Sequence, residues 1–423
     1  MQYKTEIFDR MQRLYGETGF NDHMLHCEIR LDSRLDEATL RKATALTLAA
    51  IPILATRFSS RPEGAVWESI SGAELERAFA TAESEIEFEA ERTFRLREEE
   101  GPQLRVGLLR GKHNALAITM NHMVADGAGL KNYLYFLCET YSRLLADPGY
   151  RPPLVEGYRG MGDVTRAFGP WAKLGAWLGQ SGDSNRSGKF AFPLTPGGEL
   201  RPFIAIRVVD RDKVAALKAY CKARGATIND AALAACYRAL ARAIGPAALE
   251  GLEFPIMIDM RRYLPSREFG ALRNLASTAI TRLGQREGES FEETLSKAKG
   301  LMDALKERRI GLGGYLKMSL LFSLFREGRA IELLKLGLRH PRICMTNLGE
   351  IDSRRLVFEG THVASAYACG SIKYKPHFQL ALSGFDGTIT LSSNLYGNAE
   401  DRERVESFLA EVEREFDVNA RAS

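Results

Sequence analysis

From Leu116 to Met120 apolar residues alternate with small or polar ones, and from Leu130 through Leu134, Leu137, Tyr141 and Leu144 they recur every three or four positions. The first period is that of a half-buried strand and the second that of an amphipathic helix. The nine residues between them, from Asn121 to Gly129, therefore predict a short strand-to-helix turn. Before it, Leu25–Leu31 reads as a strand and Glu37 to about Ala50 as a helix capped by Asp32, Ser33 or Asp36. Pro52 breaks that helix and starts an extended segment to Phe58. Glu83 to Glu91 alternates acids with Ser84, Ile86, Phe88 and Ala90, which predicts a strand with one solvated face. Leu104–Leu109 and Ala115–Asn121 predict a hairpin around Arg110–Asn114.

From Pro152 to Pro202 the chain is rich in Gly, Pro and Ser, the composition of a linker. Trp171 and Trp177 flank a short amphipathic piece within it, and Gly182-Asp183-Ser184 faintly resembles a carrier protein's phosphopantetheine serine, with no bundle around it. The second half predicts strands at Phe203–Val209, Phe254–Tyr263 and Asn274–Leu283. Helices are predicted from Asp212 to Ala223, after a Thr227 or Asn229 cap, and from Phe291 to Glu307. A hairpin around Phe385-Asp386-Gly387 and a helix from Glu400 to Phe416 close the chain. This divides the chain into residues 1–165, a linker at 166–200 and residues 201–423; at 423 residues it exceeds what one core usually supports.

Composition narrows the classes. Lys and Arg number 58 against 54 Asp and Glu, so the net charge of +4 leaves no nucleic-acid footprint. Six scattered cysteines without a C-x-x-C pair predict reduced core residues and a cytoplasmic protein without a metal site. No apolar stretch follows Met1-Gln2-Tyr3-Lys4, so no signal peptide is expected, and the apolar run at Met318–Phe325 is too short to span a bilayer. Between Lys306 and Arg342 nine Lys or Arg meet three Glu among many leucines. A basic amphipathic helix of this kind either packs on a core with a wet basic face or lies on an anionic membrane.

The predicted turn holds the chemistry. His122 ends the strand, Asp126 is placed to cap the helix, and Gly127 and Gly129 permit tight backbone. Imidazole is the side chain best matched to proton exchange near neutral pH. His122-Met123-Val124-Ala125-Asp126-Gly127 resembles the HxxxDG signature of the chloramphenicol-acetyltransferase-like superfamily, which holds alcohol acetyltransferases, wax-ester-type enzymes and condensation domains of peptide synthetases. Four more segments resemble that superfamily in its order: Pro52–Phe58, Thr227–Asp230, Asp259–Arg261 and Thr346–Gly349, the last with threonine for the usual serine. Asn121 stands where peptide-synthetase condensation domains carry a second histidine, and the plant enzymes' D-F-G-W-G segment is absent.

The resemblance implies an α/β fold of two similar subdomains, each a mixed sheet flanked by helices, with a channel between them and His122 near its middle. It implies direct acyl transfer from a thioester, CoA or carrier-protein-bound, to an alcohol or amine, with His122 as general base and no covalent intermediate. Asp126 would pair with an arginine to hold the loop, Arg261 being the first candidate and Arg57 the second. Gly127 would let backbone pass the channel, and Thr346 or Asn347 would donate to the oxyanion or acceptor. Acyl-CoA or acyl-phosphopantetheine would be a co-substrate and no cofactor would be resident. The expected partners are a small or lipid-like acceptor, an acyl carrier protein in the condensation-type alternative, and a membrane surface if the Lys306–Arg342 segment docks there. A catalytically silent scaffold of the same fold is the reading from another class.

Overall fold

The computed structural model describes residues 1–61, 63–179, 190–249, 252–265, 269–307 and 311–418, so Gly182-Asp183-Ser184 lies outside the described residues. The first half runs β1 (Gln2–Lys4), α1 (Ile7–Glu17), β2 (Met24–Leu31), α2 (Glu37–Ala50), β3 (Thr56–Ser59), β4 (Val66–Ser69), β5 (Phe79–Ala82), α3 (Glu85–Arg92), β6 (Leu104–Leu109), β7 (Ala115–Asn121) and α4 (Gly127–Ala146). The second half runs α5 (Gly162–Arg166), α6 (Pro170–Gly179), β8 (Arg201–Val209), α7 (Arg211–Ala223), α8 (Ile228–Ile244), α9 (Pro246–Leu249), β9 (Phe254–Asp259), β10 (Ala276–Thr281), α10 (Phe291–Glu307), α11 (Leu312–Leu324), α12 (Glu327–Gly337), β11 (Ile343–Ile351), β12 (Val363–Cys369), β13 (Lys373–Tyr374), β14 (Phe378–Phe385), β15 (Thr388–Gly397) and α13 (Ala399–Glu415).

Two mixed sheets organise two cores. One has the order β12-β2-β7-β6-β5, antiparallel except between β5 and β6. The other has the order β10-β9-β11-β14-β15-β13, with β8 also paired to β15. Every residue of β7 is buried, and α2 and α4 pack on its sheet through Leu40, Leu48, Leu130, Tyr133 and Leu137. In the second core the Ala-rich α8 brings Ala231, Ala232, Ala234 and Ala235 close to the sheet. A capping box between Thr227 and Asp230 starts that helix, each residue satisfying a backbone donor of the other.

The cores are not divided at one point in the chain. Strand β12 belongs to the second half by sequence but pairs with β2 in the first sheet, Ala366 facing Ile29 and Ala368 facing Cys27. The chain crosses between the lobes just after β11, and Ile351, Leu356, Phe358 and Val363 complete the first core.

Two expectations fail. The acid-rich segment is the helix α3: Ser84 caps it by accepting the Glu87 N–H, and Glu85 and Glu87 sit in its first turn, where the helix dipole favours negative charge. Phe88 faces the core while Ile86 is 86% exposed, which a strand with those two residues on one face would not allow. Over only nine residues, alternation of charge imitated a strand. The segment after Pro52 is extended only from Thr56, because residues Pro52–Ala55 first form a 3-10 turn.

The cysteines are all free and buried. The basic segment forms two helices, and among the described residues no helix is long and apolar enough to cross a membrane.

Candidate active site

The end of β7 is fixed by polar side chains before the site begins. Asn121 is fully buried; its Oδ1 accepts the Met123 N–H at 2.9 Å and its Nδ2 donates to Gln103 Oε1 at 2.7 Å. A second histidine here could not make both bonds in the same geometry. The N–H of His122 donates to the His23 carbonyl at 2.9 Å, and His23 holds a left-handed φ of 48°. Such a backbone costs about 1–3 kcal/mol in a non-glycine residue and persists only where its surroundings over-determine it. Asn21 Oδ1, which accepts the His23 N–H at 2.9 Å, is one of the contacts that do so.

The turn then folds the imidazole back on its own backbone. His122 Nδ1 lies 2.8 Å from the Ala125 carbonyl oxygen, and a carbonyl only accepts, so Nδ1 carries the hydrogen. Nε2 keeps the lone pair and has no partner among the described residues, while the half-buried ring lines the cavity described below. Asn274, buried at the start of the turn into β10, donates through Nδ2 to the His122 carbonyl at 3.0 Å. Its Oδ1 accepts the Ala276 N–H at 3.1 Å, which fixes the amide's orientation. Burial pushes His122 below the ordinary imidazole value, against the raising influence of Asp126 and the Ala125 carbonyl. The ring is therefore neutral at neutral pH.

Asp126 points away from that ring. It caps α4 by accepting the Gly129 N–H at 3.0 Å, accepts the Leu275 N–H at 2.7 Å, and pairs with Arg261 at 2.6 Å. Arg261 also donates to the Arg273 carbonyl at 3.1 Å and lies 3.3 Å from Asp259. Burial alone would raise the Asp126 carboxyl, but the Arg261 charge and the two backbone donors hold it below its ordinary range. One carboxylate thus joins the first lobe's helix to the second lobe's β9–β10 edge. Arg57, the second sequence candidate for this partner, instead pairs with Glu68 on the neighbouring strand at 3.2 Å, half-exposed.

Between the lobes lies a cavity of about 880 Å³. His122, Asp126 and Gly127 line it from the first lobe, and Arg261, Thr346 and Asn347 from the second. The second-lobe wall is made by an irregularity in β11, whose register with β14 shifts between Asn347 and Glu350, with Gly349 at a φ of 74°. Only glycine adopts that conformation freely. Asn347 is spent on this bulge: its Oδ1 accepts the Gly349 N–H at 2.9 Å and its Nδ2 lies 3.3 Å from Asn229 Oδ1. Thr346, by contrast, has no hydrogen-bond partner for its hydroxyl among the described residues. Lys131 on α4 clasps the bulge to the first lobe, donating to the Leu348 carbonyl at 2.6 Å and the Glu350 carbonyl at 3.1 Å. Gly127 faces the same wall; a Cβ there would stand 3.0 Å from Leu348 Cδ2.

No family model and no curated protein matches this sequence. Solved structures do. A trichothecene 15-O-acetyltransferase from Fusarium sporotrichioides superposes with a TM-score of 0.70 at 13% identity, over 98% of this chain and 95% of its own. The first condensation domain of the calcium-dependent antibiotic synthetase gives 0.68 at 17% identity, over 98% and 96%. Polyketide synthase associated protein 5 from Mycobacterium tuberculosis gives 0.64 at 15%, over 95% and 96%. The chain has the condensation-domain fold. Within that fold, two residues at the site carried no readable signal in the sequence. Asn274 was only a polar residue at the edge of an apolar strand, and Lys131 only one charge on an amphipathic helix. Both act through backbone carbonyls brought near by tertiary packing, for which side-chain type gives no cue.

Among the described residues no group of three or more His, Cys, Asp or Glu is placed to hold a metal ion.

Proposed function

We propose that this protein transfers an acyl group from a thioester to an alcohol or amine, with His122 as the general base. The observation that carries the reading is the imidazole itself: Nδ1–H is anchored to Ala125, which leaves the Nε2 lone pair without a partner among the described residues, on the wall of a cavity between two lobes. The acceptor's oxygen or nitrogen attacks the thioester carbonyl as Nε2 takes its proton. The C–S bond then breaks, and the imidazolium returns that proton to the departing thiolate. Thr346, a cavity-lining hydroxyl, is assigned to donate to the oxyanion; Asn347, already bonded, shapes the adjoining bulge. Asp126, Gly127 and Arg261 hold the loop and the lobe contact. The donor is acyl-CoA in the first reading and an acyl carrier protein in the alternative. Solved structures of the same fold include, by their titles, both an acetyltransferase and condensation domains.

Thiol release from acyl-CoA and from an acyl-loaded carrier protein, each with a panel of alcohols and amines, tests the activity and separates the donors. His122→Ala should lower kcat/KM by about 10²- to 10⁴-fold while leaving the fold intact. Unchanged turnover in that variant would remove the base assignment and leave the scaffold reading.

A second reading concerns where the enzyme works. Trp171 on α6 and Leu336 on α12 are each 84% exposed, and Leu320, Leu324 and Phe325 are exposed beside Arg326 and Arg329. Exposed apolar side chains with cations near them in sequence favour peripheral contact with anionic lipid, so that a lipid-like acceptor enters from a membrane. Co-flotation with phosphatidylserine vesicles, abolished by Trp171→Ser with Leu336→Ser, is the expected result.

A further inference from the structure

One cation at the cavity has neither a hydrogen bond nor an ion pair among the described residues. Lys373 is only 3% exposed, yet its side chain lines the cavity. Among the described residues its ammonium makes no hydrogen bond and no ion pair; it stands 4.0 Å from the centroid of the Phe20 ring, and Cys344 and Asp22 act on its charge. Asp22, the carboxylate whose charge acts on Lys373, makes no ion pair with it. Its Oδ1 accepts the Met24 and Ile372 N–H groups. Ser371, two residues before Lys373 and also 3% exposed, lines the same cavity with no hydrogen bond among the described residues. The backbone fixes Lys373, which bridges to Asn21 on one side and pairs with Leu395 on the other.

Buried cations of this kind are normally paired, because taking an ammonium out of water costs several kcal/mol. Burial indeed pushes Lys373 below the ordinary lysine value, and burial likewise lowers His122, His340 and His377, His340 to about 4, with the Lys373 charge a smaller contribution in each. The other cations at the cavity that touch the catalytic turn are occupied, Arg261 by Asp126 and Lys131 by two carbonyls. Met11, Tyr15, Phe20 and Leu25 make the neighbouring wall apolar.

We propose that Lys373 and Ser371 form a carboxylate-binding subsite inside the cavity, so that one of the two organic substrates is an acid carried on an apolar chain. This rests on the cavity being the acyl-transfer chamber, and it adds the substrate class. A single buried ammonium beside one hydroxyl matches one singly charged carboxylate rather than the several phosphate charges of CoA. The apolar wall matches the chain that bears it.

The test reads binding, not turnover. Calorimetry compares 12-hydroxydodecanoate with 12-hydroxydodecanamide for the acceptor side, and adipoyl-CoA with hexanoyl-CoA for the donor side. In one of the two pairs the acid should bind at least about tenfold tighter, the advantage expected of a charge-assisted bond. Lys373→Met should abolish that preference and leave the neutral member's affinity within about twofold, while Lys373→Arg should retain it. Lys373→Met should also raise the melting temperature of the ligand-free protein, which shows that it folds. Equal affinities within both pairs, or a preference that survives Lys373→Met, overturn the subsite. An acid preference without thiol release from any donor would uphold the subsite and refute the acyltransferase reading instead.

Discussion

Replacing Asp126 by alanine removes three interactions that meet at one carboxylate. The cap of α4 is worth about 0.5–2 kcal/mol. The Leu275 N–H, which belongs to a fully buried residue, loses its acceptor at about 1–3 kcal/mol. Arg261, only 11% exposed in its side chain, loses its closest counter-ion, and stranding a buried charge costs about 3–5 kcal/mol. Asp259 at 3.3 Å and the Arg273 carbonyl at 3.1 Å remain as partial partners, so the low end of each range applies. The expected loss is about 4–5 kcal/mol, a large share of a typical domain's 5–15 kcal/mol. Urea unfolding, followed by tryptophan fluorescence, reads it as a lower midpoint at unchanged slope. Asp126→Ala combined with Arg261→Met removes both charges and should recover more than half of the loss, a coupling that only a direct pair produces. A single-variant loss under about 1 kcal/mol, or a double variant no more stable than the single, would refute the pairing as the device that holds the lobes and turn together. The pH dependence has a definite sign. Asp126 is held below its ordinary value of 3.8, so its contribution is complete above that pH and is lost as pH falls through the lower folded value.

The remaining expectations concern chemistry. Because burial lowers His122 from the ordinary imidazole value of 6.5, kcat/KM should stay level as pH falls through 6.5 and decline only below it. An acid limb at or above 6.5 would contradict the buried, neutral base. Asn274→Ala frees the His122 carbonyl and the Ala276 N–H, and should lower kcat by up to about 10²-fold with KM little changed, since it acts by positioning. Thr346→Val should cost about 10²- to 10³-fold in kcat if its hydroxyl serves the oxyanion, with thermal stability unaltered. Asn347→Ala should instead lower the melting temperature by releasing the Gly349 turn.

Much of the molecule could be read from local order. Long periodic segments such as Glu37–Ala50, Ala115–Asn121 and Phe291–Glu307 announced themselves because each pattern repeats two or more times within the element. The HxxxDG turn was legible for the same reason: a strand ends, a helix begins, and the residues between sit where side chains must serve the backbone or a ligand. Short segments misled. Alternating charges in Glu83–Glu91 satisfied a strand template, and only the Ser84 cap and the buried Phe88 decide for a helix.

By itself, then, the sequence determined most of the longer elements and the turn that bears His122, since these follow from periodicity and from residues adjacent in the chain, while the two-lobed α/β class was implied by the resemblance of five short segments to a known superfamily. Only the tertiary structure decided that Arg261 rather than Arg57 meets Asp126, that Asn274 holds the His122 carbonyl, that β12 returns to the first sheet and that Lys373 makes no ion pair among the described residues. Those pairs are 135, 152 and up to some 340 residues apart. Whether a charge is answered depends on which groups packing brings within about 4 Å of it in a water-poor interior, and no residue's type encodes that distance.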